Sequence, residues 1–107
     1  MNEDRISLLK KFIEEEPHNP FNRYALAMEY YKTEPATALG LLEQLLIEHP
    51  DYLPTYYKAA HLYWEINNWE LAEKTFLTGL ELAAQQNDQK ALLELRSAHL
   101  NFRFAVD

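Results

Sequence analysis

Cysteine is missing from this 107-residue chain, and glycine occurs only twice. Without cysteine there is no disulfide framework and no thiol chemistry, which fits a cytoplasmic protein. Two glycines leave no Gly-rich loop to cradle a phosphate. Serine is as scarce: Ser7 and Ser97 are the only ones, and neither sits in the strand–turn–helix context that a serine nucleophile needs. Basic residues are few, ten Lys and Arg against 17 Asp and Glu for a net charge of -7, and they are scattered. That balance argues against nucleic acid, whose binders displace counterions with clustered cations, and against anionic membrane surfaces. No apolar run approaches the roughly 20 residues of a membrane-spanning helix. The opening MNEDRISLLKK also lacks the hydrophobic core of a secretion signal.

Metal and catalytic chemistry find no better footing. None of His18, His49, His61 and His99 has a His or Cys three or four residues further on, so no local ligand pair exists. The run Glu14-Glu15-Glu16 satisfies no metal-loop spacing and reads as a solvated helix end. With no catalytic constellation, no cofactor motif and no metal site, the chain does not read as an enzyme.

What it has in quantity is helical apolar pattern. Hydrophobic residues make up 48%, and seven Tyr, five Phe and two Trp supply rings that each bury roughly 150–250 Å². One domain accounts for this length. Residues 20–50 and 53–83 are one unit written nearly twice. Tyr30 matches Tyr63 and Ala27 matches Ala60 at an offset of 33, while Ala38 matches Ala72 at 34. One residue is therefore missing from the first copy's mid-turn. A repeat of this period means stacked helical hairpins.

Taken in order, residues 4–16 carry Ile6, Leu9, Phe12 and Ile13 as one stripe, with Leu8 beside them, and Pro17 and Pro20 stop the helix. This segment reads as an N-terminal cap over an otherwise exposed apolar face. The next helix, about 21–32, is opened by Asn19 and Pro20 and is apolar around most of its circumference. Thr33 or Glu34 caps the following one, 36–48, with Pro35 in its first turn. Gly40 inside it is either simply tolerated or marks a close backbone approach. Pro54 reopens the pattern, and Asn67-Asn68 forms a turn in which Asn67 can take the left-handed conformation. A helix over 69–85 holds Ala72, Phe76, Gly79 and Leu80 on one face, Gly79 letting two helices approach. Asn87-Asp88 caps a last helix, counted within a segment 88–104, with two adjoining stripes, Leu92-Leu95-His99-Phe102 and Leu93-Leu100-Phe104. Residues 100–104 also alternate in the manner of a strand, so a helix to about 102 and an extended tail both fit.

These residues resemble the tetratricopeptide repeat, a 34-residue helix–turn–helix. In the second copy Tyr56, Ala59, Ala60, Tyr63, Ala72, Phe76 and Gly79 stand at its signature positions, and in the first Leu26, Ala27, Tyr30, Ala38, Leu42 and Pro50 do so. Arg23 departs from the pattern where an aromatic is usual, Leu45 where Ala is usual, and Ala84 where Pro closes the repeat. The resemblance implies an all-α fold, a right-handed superhelix of antiparallel helix pairs. It would have about six helices: a half-repeat cap at 4–16, repeats at 20–50 and 53–86, and a C-terminal helix.

In this family the first helix of each repeat lines a concave groove. Carried over, that face holds Phe21, Tyr24, Met28 and Tyr31 in the first copy and Tyr57, Lys58, His61 and Trp64 in the second. Packing already occupies Tyr30, Ala27, Tyr63 and Ala60, which leaves these rings without an assigned neighbour, unless the chain's own end helices cover them. Exposed aromatics of this kind mark a contact surface for a peptide or protein. The family's carboxylate clamp is not expected, since Tyr24 and Met28 stand where it needs Lys and Asn. A self-associating module is the alternative, with Leu100, Phe102 and Phe104 as homodimer contacts.

Overall fold

The computed structural model describes residues 2–107. They form six helices: α1 (Glu3–Glu15), α2 (Pro20–Tyr30), α3 (Pro35–Glu48), α4 (Pro54–Glu65), α5 (Trp69–Gln85) and α6 (Gln89–Val106). No strand occurs among the described residues. Consecutive helices within a repeat are joined by three or four residues, which makes them antiparallel neighbours.

The helix starts follow from side chains that satisfy orphan backbone donors. Asn2 accepts the Arg5 N–H at 3.0 Å, so α1 begins one residue before the expected Asp4. Asn19 accepts from Phe21 N–H at 3.1 Å, and Asp88 accepts from Ala91 N–H at 3.0 Å. Where no side chain caps, at α3 and α4, Pro35 and Pro54 stand in the first turn, where a missing N–H costs nothing. Two turns share one construction. Asn67 and Asn87 both adopt left-handed φ, 62° and 57°. The next residue donates back to the helix just ended, Asn68 to Tyr63 O at 2.9 Å and Asp88 to Ala83 O at 3.0 Å.

Two expectations about length are corrected. α2 ends at Tyr30, two residues before the sequence pattern suggests, with Tyr31 as its cap residue. The extended tail is also overturned: α6 stays helical to Val106, and Asp107 N–H still donates to Arg103 O at 3.1 Å. A helix holds there because Leu95, Ala98 and Phe102 recur at helical spacing and are all buried.

The helices gather into two compact units, divided between Tyr52 and Leu53, where the second sequence copy begins. In the first, α1 packs on α2 and α2 on α3. Ile6, Leu9, Ala25 and Leu26 form one buried cluster there, with Ile13, Tyr30 and Leu41 against it. The rest of the α1 stripe, Leu8 and Phe12, stays exposed. Arg5 pairs with Glu29, and Arg23, standing where the repeat normally has an aromatic, reaches Glu48 of α3 at 3.1 Å.

In the second unit α5 lies between α4 and α6. A Cβ added at Gly79 would fall 2.8 Å from the Tyr56 Cβ and 3.4 Å from Leu95, so α4 and α5 meet through a site only glycine fills. Gly40 has no atom within 4 Å of where its Cβ would stand, which leaves tolerance, not close approach, as its explanation. The two glycines therefore answer substitution with opposite signs. In urea unfolding, Gly79→Ala is expected to lose about 1–3 kcal/mol by overpacking. Gly40→Ala is expected to gain up to about 1 kcal/mol of helix propensity; equal shifts at both positions would contradict the packing assigned to Gly79.

Candidate functional site

Tyr57, His61 and Trp64 lie at i, i+4 and i+7 of α4, so they form a single row on one helix face. The rings run together: Tyr57 to His61 with centroids 4.4 Å apart, His61 to Trp64 at 5.8 Å. His61 is held by a hydrogen bond of 2.7 Å between Nδ1 and the Tyr57 carbonyl. A carbonyl only accepts, so Nδ1 carries the proton and donates. Behind the row stands a second tier of rings. Phe76 of α5 meets His61 edge-on at 5.5 Å, and Phe102 of α6 meets Trp64 edge-on at 5.4 Å. Phe76 and Phe102 lie 5.6 Å apart, and His99 contacts both. On the far side of His99, Nε2 donates to Glu73 Oε1, while Arg103 Nη1 donates to Glu73 Oε2 at 3.0 Å.

A cleft of about 410 Å³ opens along this row. Tyr57, His61 and Trp64 make one wall, and Leu93, Glu94, Ser97, Ala98 and Asn101 of α6 make the other. A second hollow of about 440 Å³ adjoins His61, Trp64, Glu65 and Asn67 at the C-terminal end of α4. Both volumes lie in the range of ligand pockets, about 300–1,000 Å³, but both are open-sided. Open hollows suit side chains of a partner segment better than an enclosed small molecule.

Of the eight residues expected on the groove face, the structure brings Tyr57, His61 and Trp64 to this cleft. Lys58 does not line it; its Nζ sits 5.9 Å from the Tyr57 ring centroid. Phe21, Tyr24, Met28 and Tyr31 belong to α2 and its cap in the first unit. Phe21 is exposed there, Met28 and Tyr31 are half-buried, and Tyr24 packs edge-on to Tyr52 at 5.8 Å. Trp64 is partly covered by the chain's own last helix. Covering by an end helix is one of the outcomes the sequence leaves open, but it does not name the wall, because nothing in the spacing of Ser97, Ala98 and Asn101 says which face of α6 meets α4.

The homodimer set needs a correction. Phe102 is 1% exposed, enclosed by Trp64, Phe76 and His99, and cannot reach a second copy. It belongs to the buried stripe with Leu95, whereas Leu93, Leu100 and Phe104 form the exposed stripe at 62%, 55% and 77%.

A family model described as tetratricopeptide repeat matches residues 32–95, more than half of the chain. The chain belongs to the tetratricopeptide repeat family. A crystal structure of a tetratricopeptide repeat domain protein from Salinibacter ruber is similar to it at 40% identity, over 79% of this chain and 97% of that one, with a TM-score of 0.76. A solution NMR structure of a tetratricopeptide repeat domain protein from the same organism is 39% identical, over 86% and 93%, with a TM-score of 0.77. No curated protein matches the chain. Tetratricopeptide repeats are typically scaffolds for protein–protein contacts. Among the described residues no three His, Cys, Asp or Glu stand together as a metal site, and no helix is long and apolar enough to cross a membrane.

The Tyr24–Tyr52 pair gives the first unit a pH signature. Burial pushes the Tyr24 hydroxyl above the ordinary tyrosine value, and the charge of an ionised Tyr52 alongside pushes it further. Burial also raises Tyr52. A raised folded-state pKa means the folded chain holds these protons more tightly than the unfolded one, so their contribution is complete below about pH 10 and is lost as pH climbs above it. Denaturant midpoints measured from neutral to strongly alkaline pH should fall on that limb, and Tyr24→Phe with Tyr52→Phe should flatten the fall. An unchanged alkaline limb in the double variant would contradict the assignment.

Proposed function

We propose that the protein is an adaptor that docks a peptide or an extended protein segment along the Tyr57–His61–Trp64 row. The observation that supports it most is the row itself: three ordered rings on one face of α4, half-buried, backed by packed Phe76 and Phe102, and open on the side of the cleft. Rings held this way lose little conformational freedom on binding and offer large apolar area, the properties of binding hot spots. Ser97 and Asn101 opposite supply donors and acceptors for a partner's backbone. Phe21, Tyr24, Met28 and Tyr31 extend the proposal to the first copy as a second contact surface. Peptides selected from a random display library against the full chain provide the test. Tyr57→Ala and Trp64→Ala are each expected to weaken their binding by tenfold or more, about 1.4 kcal/mol, while Leu77→Ala, on exposed α5 surface, leaves it unchanged. Selected peptides indifferent to both ring deletions would place the docking surface elsewhere.

Self-association is a second reading, carried by a different observation. Leu93, Leu100 and Phe104 leave one face of α6 apolar and open to solvent, where a terminal solenoid helix normally presents a polar face. A symmetric pair of α6 helices would cover it. Light scattering should then report a concentration-dependent dimer that Leu100→Ser with Phe104→Ser abolishes; a full-length monomer at high concentration excludes it.

A further inference from the structure

Charge around the cleft narrows what docks there. Among the described residues lining the two hollows that share His61 and Trp64 are two carboxylates, Glu94 and Glu65, and no Lys or Arg. The chain as a whole carries -7. An anionic guest would meet these carboxylates with no Lys or Arg among the lining residues to pair, so the site disfavours the C-terminal carboxylates and acidic segments that a basic groove would take.

We propose that the cleft recognises an arginine side chain of the docked segment. This rests on the reading of the cleft as the docking site. Three features fit that one side chain. Its aliphatic stem is matched by Leu93 and Ala98, both on the α6 wall. Its planar guanidinium is drawn to aromatic faces, tryptophan best of all, and the row ends in Trp64. Its five N–H groups need acceptors, and the α6 wall offers a carboxylate, a hydroxyl and an amide oxygen at Glu94, Ser97 and Asn101, spread over about 10 Å of helix so that the group meets neighbouring acceptors and not all three. Lys58, stationed over Tyr57, already pairs a cation with a ring of this same row, without lining the cleft. Glu65 lies at the other end of Trp64's surroundings and adds to the negative potential there. A neutral side chain of the same shape would keep the stem contacts and lose the charge-dependent ones.

The test uses the full chain and two end-blocked alanine–leucine peptides, identical except for a central arginine or its uncharged near-isostere citrulline. Titrations are followed at the Trp64 indole by NMR. The arginine peptide is expected to bind at least about fivefold more tightly. That advantage should shrink in high salt and largely vanish in Glu94→Gln, whose exposed side chain makes it safe for folding. Equal binding of both peptides at the Trp64 signal would overturn arginine recognition and leave the docking site standing. Binding of the arginine peptide that leaves the Trp64 indole unmoved, or no binding by either peptide, would overturn both readings.

Discussion

The contact between Phe76 and Phe102 is the constraint on which the second unit depends. Both rings are enclosed, and they join α5 to α6 at the level where α4 presents His61 and Trp64. α4 touches α6 little directly; each leans mainly on α5. The width of the cleft is therefore set by what α5 inserts between its neighbours, with Phe76 at one level and Gly79 one turn on. A large ring keeps α4 and α6 apart where the hollow lies, and a missing side chain lets α4 and α5 close where Tyr56 packs. Losing either would change the geometry of the cleft without touching a residue that lines it.

The first unit solves the same packing problem with different chemistry. Tyr56 of the second copy corresponds to Arg23 of the first. Where the tyrosine buries a ring against α5, the mostly buried arginine of α2 pairs its charge with Glu48 of α3. The pair links the two helices of the repeat as the ring does, and the repeat persists through a substitution that a size-class consensus would reject. Leu45, where Ala is usual, is fully buried, so that position accommodates a larger side chain.

Much of this was legible before any coordinates. The offset between Tyr30 and Tyr63 located the repeats, the prolines at 20, 35 and 54 located three helix starts, and Asn67 announced a left-handed turn because asparagine tolerates what most side chains do not. The α6 segment resisted for a physical reason. Residues 100–104 satisfy a two-residue period and a helical period at once, and five residues are too few to separate them. Only the burial of Leu95, Ala98 and Phe102 decides between the two, and for Phe102 that depends on contacts with Trp64 and Phe76, which a local pattern does not carry. The same ambiguity let Phe102 pass for a surface residue beside Leu100 and Phe104. The α6 wall of the cleft was hidden similarly, since small and polar residues announce no face.

The turn at Asn87 has a consequence away from the cleft. Left-handed φ costs most side chains about 1–2 kcal/mol; asparagine carries less strain than that there, and glycine none. Asn67 carries the same strain but borders the second hollow, whereas Asn87 lines neither. The joint between α5 and α6 thus holds a small reserve that protein engineers could draw on to toughen this scaffold while the residues lining both hollows stay as they are.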